Sequence, residues 1–185
     1  DAKIEETSEG YKVLGDPTEG ALVTLAGKAN ITSSEINKKF PRVEELPFDS
    51  DRKMMTTFHS NFIPNKIISF TKGAPDIIIG RCTHIMINKK IQLFTEDMKK
   101  KALAANSKFA KDALRVLAYA YKEYDKVPEG ITSDVNENDM IFIGLTGMID
   151  PPRPEVKDAI KLCKQAGINT VMITGDYKET AFAIA

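Results

Sequence analysis

Phe48 and Lys53 bracket four polar residues, Asp49, Ser50, Asp51 and Arg52, in a stretch that opens with Leu46-Pro47. A flat ring and an ammonium this close on an extended backbone suit a planar base joined to polyphosphate, the ring stacking and the cation neutralising charge. A second stretch, Thr71-Lys72-Gly73-Ala74-Pro75-Asp76, sets another lysine at a Gly-Pro corner. Glu19, within Gly15-Asp-Pro-Thr-Glu-Gly-Ala-Leu22, could accept from an exocyclic amine, and Lys53, Lys72 and Arg115 could neutralise phosphates. Each has an ordinary alternative: a core phenylalanine, solvated lysines, an arginine at a helix end, and a Glu19 that only closes a capping box on Asp16. Their joint occurrence points to a nucleotide.

Other chemistries find no support. The chain has no GxxxxGK[ST], GxSxG or GxGxxG pattern. His59 and His84 have no partners at metal-ligand spacing, and no metal site is expected. Asp49-Ser50-Asp51 matches the DxD of phosphotransferring aspartate enzymes but lacks a preceding hydrophobic strand, so it reads as a turn. Asp134 to Asn138 opens like a calcium-binding loop, yet the sixth position is Asp139 instead of Gly and the twelfth is Leu145 instead of Glu. Lys+Arg and Asp+Glu both number 26 in 185 residues, a balance that argues against a nucleic-acid binder while allowing a local basic pocket. Cys82 and Cys163 stand far apart without a CxxC, which suits a reducing compartment.

These residues need elements to position them. Asp16 as N-cap and Pro17 as first residue start a helix with Leu22, Leu25 and Ala26 on one face, weakening at Gly27 and Asn30. A second short helix runs from Ser34 to Phe40, stopped by Pro41. The chain before Glu45 reads helical; Phe48 to His59 and Pro64 to Lys72 read as paired strands around Ser60-Asn61. Alternation puts Ile68, Phe70 and Lys72 on one face and Ile67, Ser69 and Thr71 on the other. Gly73 allows a sharp turn, and Pro75 or Asp76 opens a helix to about Arg81. A hairpin follows at Asn88-Lys89-Lys90. Thr95 then caps a helix with Met98, Ala102, Ala105 and Phe109 at helical spacing, giving way near Asp112. Leu114 to Tyr121 reads as a strand, and Lys126 to Asp139 as a polar connection.

From Met140 a β-α-β unit is expected. It comprises a strand to Ile149, the Pro-rich Asp150 to Pro154, a helix with Val156, Ile160 and Cys163 closed by Gly167, and a strand over 168–173. Thr174-Gly175-Asp176 stands at that strand's carboxyl end, where ligands gather in such sheets. The ten apolar residues from Met140 to Ile149 are too few to cross a bilayer. The first residues are acidic and polar, unlike a signal peptide. The chain begins without Met and stops at Ala185 inside a helical pattern, so it is expected to be part of something longer.

The stretches 15–22, 47–53 and 71–76 resemble the P-type cation-transporting ATPases. Arg81-Cys-Thr-His-Ile85, Leu114-Arg-Val-Leu117, Asp150-Pro-Pro-Arg153 and Met172-Ile-Thr-Gly-Asp176 continue the series in family order. The resemblance implies an α+β fold, an antiparallel sheet flanked by helices, as nucleotide-binding domain over residues 1–149. Residues 150–185 would begin an incomplete Rossmann-like β-α-β segment of the phosphorylation domain. It further implies ATP with Mg²⁺ as ligand, contacted by Glu19, Phe48, Lys53, Lys72, Gly73 and Arg115. Asp150 and Arg153 would lie at the interdomain hinge, and Thr174, Gly175 and Asp176 on the phosphorylation side. Sarcoplasmic-type calcium pumps have an arginine two residues after the stacking ring. This chain has Ser50, so that phosphate contact is either missing or made by Arg52.

The family's phosphorylated aspartate, in its Asp-Lys-Thr-Gly-Thr motif, does not occur in these residues. The chain is therefore expected to bind ATP without turning it over. Its parent would couple aspartyl-phosphate chemistry to cation transport, calcium above all, at the cytosolic face of a membrane, with phosphorylation, actuator and transmembrane domains as partners. A regulatory domain that keeps the fold without nucleotide, or a pump for sodium/potassium or protons, stands as the alternative. A free-standing haloacid-dehalogenase phosphatase is excluded by the missing nucleophile.

Overall fold

The computed structural model describes residues 2–8, 10–149, 153–174 and 181–182. Strands β1 (Lys3–Thr7) and β2 (Gly10–Leu14) form a small antiparallel hairpin that the residue pattern did not announce. Helix α1 (Pro17–Lys28) follows with the expected start: the Asp16 carboxylate accepts from Thr18 N at 2.8 Å and Glu19 N at 3.2 Å. The Glu19 backbone N–H, with help from Thr18, holds the Asp16 carboxyl below the usual carboxylate range. Gly20 is buried because the helix closes tightly on β2; a Cβ there would stand 2.4 Å from a Val13 methyl. Helix α2 (Ser33–Lys39) ends before Pro41 as predicted.

The body is a seven-stranded sheet built from β3 (Arg42–Asp49), β4 (Met54–His59), β5 (Ile67–Gly73), β6 (Cys82–Ile87), β7 (Lys90–Leu93), β8 (Arg115–Tyr124) and β9 (Met140–Met148). Their spatial order is β3-β4-β5-β8-β9-β6-β7, antiparallel throughout except for β6 beside β9. Helices α3 (Pro75–Arg81), α4 (Glu96–Lys111) and the short α5 (Ser133–Asn136) lie between strands in sequence. The architecture is α+β, an antiparallel sheet flanked by helices. Its core gathers Met54, Ile78, Ile79, Cys82, Phe94, Ala118, Ala120, Met140 and Phe142, with Met98 and Ala102 of α4 packed against it. One face of the sheet is thus covered by α3 and α4. On β8, Ala118 and Ala120 point to that face and Tyr119 points away.

Four expectations are corrected. Residues 42–44, read as helical, instead open the strand β3, and the long strand foreseen from Phe48 to His59 is broken by a turn at 50–53. β3 escapes pattern reading because it is an edge strand, nearly all exposed, so its polar residues and Pro47 cost no ladder bond on the open side. The second strand of the β-α-β unit is also absent. α6 (Val156–Gln165) forms and Gly167 closes it at φ +74°, but 168–173 has no regular structure and pairs with no strand among the described residues, with Val171 and Ile173 at 82% and 93% exposure. β-branched residues favour a strand only where a neighbour accepts their ladder. β9, foreseen as that unit's first strand, instead lies between β8 and β6 in the main sheet.

Cys82 is buried in the core, and desolvation pushes its thiol up to about 12. At pH 8 iodoacetamide is expected to modify the half-buried Cys163 and to spare Cys82 until the chain is unfolded, which mass spectrometry reads directly. The sign for stability follows. The unfolded thiol ionises near 9 and the folded one near 12, so rising pH in that window removes stability.

Candidate functional site

The uncovered face carries a cleft of about 350 Å³, within the size range of small-molecule sites. Its floor comes from neighbouring strands in register: Met55 faces Lys72, Thr57 faces Phe70, and Lys72 faces Tyr119. The alternation read from β5 therefore puts Phe70 and Lys72 in one cleft, which the buried Thr71 between them also borders. α1 supplies one wall. The Glu19 carboxylate accepts from the Lys72 ammonium, and both side chains are about a quarter exposed (27% and 22%). Glu19 is thus no capping-box residue. Asp16 alone serves the helix start, and Glu19 is free to reach across 53 positions of sequence.

Arg115, at the first position of β8, donates to Thr18 Oγ1 at 3.1 Å, one residue from Glu19. It does not line the cleft but stands at the same end of α1. Tyr119 lies in the floor and bonds Thr146 Oγ1 at 2.9 Å. Burial raises its phenol above the ordinary value and the charge of Glu19 adds to this. Arg42 lines the cleft too, donating to Glu45 at 2.8 Å. Neither Tyr119 nor Arg42 carried a local signal; only strand register puts them there.

Phe48 and Lys53 are not among the lining residues. Phe48 is 63% exposed, a large ring left in solvent on the edge strand. Its neighbour Asp49 pairs with Met54, so alternation turns Phe48 toward the face of Met55, which lines the cleft. Lys53 is exposed at φ +55°, and its carbonyl accepts from Ala74 N at 2.9 Å. That bond ties the hairpin to the Gly-Pro corner. Gly73 is required there, since a Cβ would meet Lys53 O at 2.4 Å and Met54 Cβ at 2.6 Å.

Asp49-Ser50-Asp51 is the turn its composition suggested: Asp49 Oδ1 accepts from the backbone of Asp51 and Arg52, both at 2.9 Å. The Arg52 N–H above all holds the Asp49 carboxyl below the carboxylate range. The Arg52 guanidinium is engaged within the protein. Its Nη1 reaches both Glu137 carboxylate oxygens, at 2.5 and 2.6 Å, and its Nη2 donates to Pro47 O at 2.5 Å. Glu137, a fully buried acid in what read as a polar connection, escaped the sequence.

Arg153 and Thr174 are exposed and do not line the cleft. Asp150, Gly175 and Asp176 lie outside the described residues. Among the described residues no three His, Cys, Asp or Glu side chains converge as a metal site, and no helix is long and apolar enough to cross a membrane.

The family model described as P-type ATPase, cytoplasmic domain N, matches residues 1–155. The chain belongs to the P-type ATPases. A protein of Bacillus cereus named calcium-transporting ATPase 1 is 52% identical over 171 residues, 92% of this chain and 19% of that protein. A Lactococcus lactis protein of the same name is 47% identical over 178 residues, 96% of this chain and 20% of that one. The sodium/potassium-transporting ATPase subunit alpha-1 of Oreochromis mossambicus is 36% identical over 182 residues, 94% and 18% of the two chains. This P-type ATPase chain therefore spans about a fifth of the length of the curated relatives it matches.

Proposed function

We propose that residues 1–149 are the ATP-binding domain of a cation-transporting P-type ATPase, and that residues 150–185 begin its phosphorylation domain. The observation that carries the reading is the Glu19–Lys72 pair in the cleft, with the exposed Phe48 ring on the adjoining edge strand. The pair leaves capacity on both sides. An ammonium has three donors and a carboxylate about four acceptor positions, so Glu19 can accept from the adenine amine while Lys72 turns a proton toward a phosphate. Phe48 stacks on the base, and Lys53 and Arg115 extend positive charge outward along the triphosphate. Gly73 keeps side-chain bulk away from the corner beside the hairpin.

The donor set fits a nucleotide. Mg²⁺ would accompany the phosphates of the ATP, where it neutralises charge, and the phosphorylation site of the parent. The phosphorylated aspartate is placed on parts of the parent outside these 185 residues, so this chain binds ATP without hydrolysing it. The parent then couples aspartyl-phosphate formation and hydrolysis to cation movement across a membrane, with its remaining domains as partners and this one on the cytosolic side. Calcium is the favoured cation because the bacterial relatives at 44–52% identity bear that name, against 36% for the sodium/potassium pump.

ATP titrated into the chain at up to millimolar concentration is expected to shift backbone amide signals around Phe48 and Lys72. Unchanged signals there would refute the reading. Phe48→Ala is expected to weaken binding by about 1–3 kcal/mol, the usual value of one aromatic stack on a base. Its thermal unfolding should match the native chain, because a ring 63% exposed adds little to the core. An unfolded variant would show the ring to be structural.

A further inference from the structure

The 46–53 hairpin is weakly held by its own sheet. β3 is an edge strand joined only to β4, and its pairing shifts between Leu46 and Asp49, so Pro47 and Phe48 have no partner in register. The turn ends in Lys53 at φ +55°, a conformation rare for a residue with a side chain. Yet Phe48 and Lys53 must stand in fixed places if they are to meet a ligand. Local bonds to Asp49 close the turn on itself, and the Ala74 N–H to Lys53 O bond holds its far end, but neither reaches the Pro47-Phe48 side.

We infer that the Arg52–Glu137 pair is the positioning device of this hairpin, fixing the segment that carries Phe48 and Lys53 from the face of the sheet opposite the cleft. Arg52 spans two attachments with one guanidinium: Nη2 to the carbonyl of Pro47, just before Phe48, and Nη1 to Glu137, 85 residues on. Glu137 is fully buried and held on every side. Its Oε1 accepts from Thr56 Oγ1 at 2.8 Å, its Oε2 from Ser133 Oγ at 2.5 Å, and Thr56 bonds Thr71 at 2.8 Å. Arg81 Nη1 stands 3.4 Å from the Glu137 carbonyl and from Ser133 Oγ, tying the α5 turn to α3. The carboxylate therefore joins β4, β5 and the 133–137 turn to the tip that carries the ring.

A buried ion pair is a poor way to gain stability, since apolar residues of equal volume often do as well. What apolar packing lacks is direction. A planar fork bonded to two acceptors permits one placement of the backbone it holds. Arg52 and Glu137 thus act on the ligand through Phe48 and Lys53 without touching it. Arg52 is not the substitute for the arginine missing at Ser50. The choice of ATP as ligand rests on the function proposed above; the ordering of the hairpin does not.

The test uses Arg52→Met/Glu137→Gln, which removes both charges and keeps the amide bonds open to Thr56 and Ser133. The expected result is a urea midpoint close to native, amide signals of residues 48–53 broadened or displaced while those of β8 stay, and an ATP dissociation constant raised about tenfold, as loosened support of a binding group produces. Arg52→Lys, with charge but no fork, should disturb the same signals to a smaller degree. If the double variant does not fold, Arg52→Lys alone carries the readouts. Native-like hairpin signals with ATP affinity within about twofold of native would overturn the inference. If the native chain itself does not bind ATP, the function proposed above fails, and the 48–53 signals still decide this inference.

Discussion

In a chain carrying Lys72→Met, ATP affinity is expected to fall by about 1.5–3 kcal/mol, roughly ten- to 150-fold, with the fold retained. Two effects act in the same direction. The ammonium that would donate to a phosphate is gone, and Glu19 is left as an uncompensated carboxylate in the cleft where a triphosphate must approach. Methionine keeps most of the apolar stem that packs beside Met55 and Tyr119, so core packing is preserved. Calorimetric titration measures the first effect, and a urea transition beside it separates binding from folding. Undiminished affinity in a folded variant would remove Lys72 from the site and leave its pairing with Glu19 structural.

The largest stability effect is expected from Arg52→Met alone, about 3–5 kcal/mol, because it strands the Glu137 carboxylate in a site with no solvent. Thr56 and Ser133 still donate to that carboxylate, but hydrogen bonds to hydroxyls do not replace a cation. Adding Glu137→Gln should recover most of the loss, since the second change removes the buried charge itself. Urea unfolding of the two single variants and the double variant measures the coupling as a double-mutant cycle. Additive losses would mean that the pair does not interact energetically.

Helices and turns were legible because their signals are local. Asp16-Pro17 and Thr95 announce helix starts by side chains that bond backbone groups two or three residues away, and both do so here. The Asn88-Lys89 turn, both residues at positive φ, was equally readable. Strand alternation on β5 put Phe70 and Lys72 together before any partner strand was known. Edge strands were less legible. β3 has solvent on one side and nearly all its residues exposed, so no hydrophobic alternation marks it. The opposite error arose at 168–173, where an apolar β-branched run suggested a strand and no described residue pairs with it.

By itself the sequence determined the family, through seven motifs in order, and the residue types that a base and a polyphosphate would require. Those depend on side-chain identity and short spacing, which the chain carries openly. Tertiary structure alone decided which of them share a space. It paired Glu19 with Lys72, left Phe48 in solvent at a strand edge, brought Arg42 and Tyr119 into the cleft, and turned Arg52 away to Glu137. The physical reason is distance along the chain. An acid at position 137 looks like any other polar loop residue until the sheet folds a guanidinium from position 52 against it and removes the water around the acid.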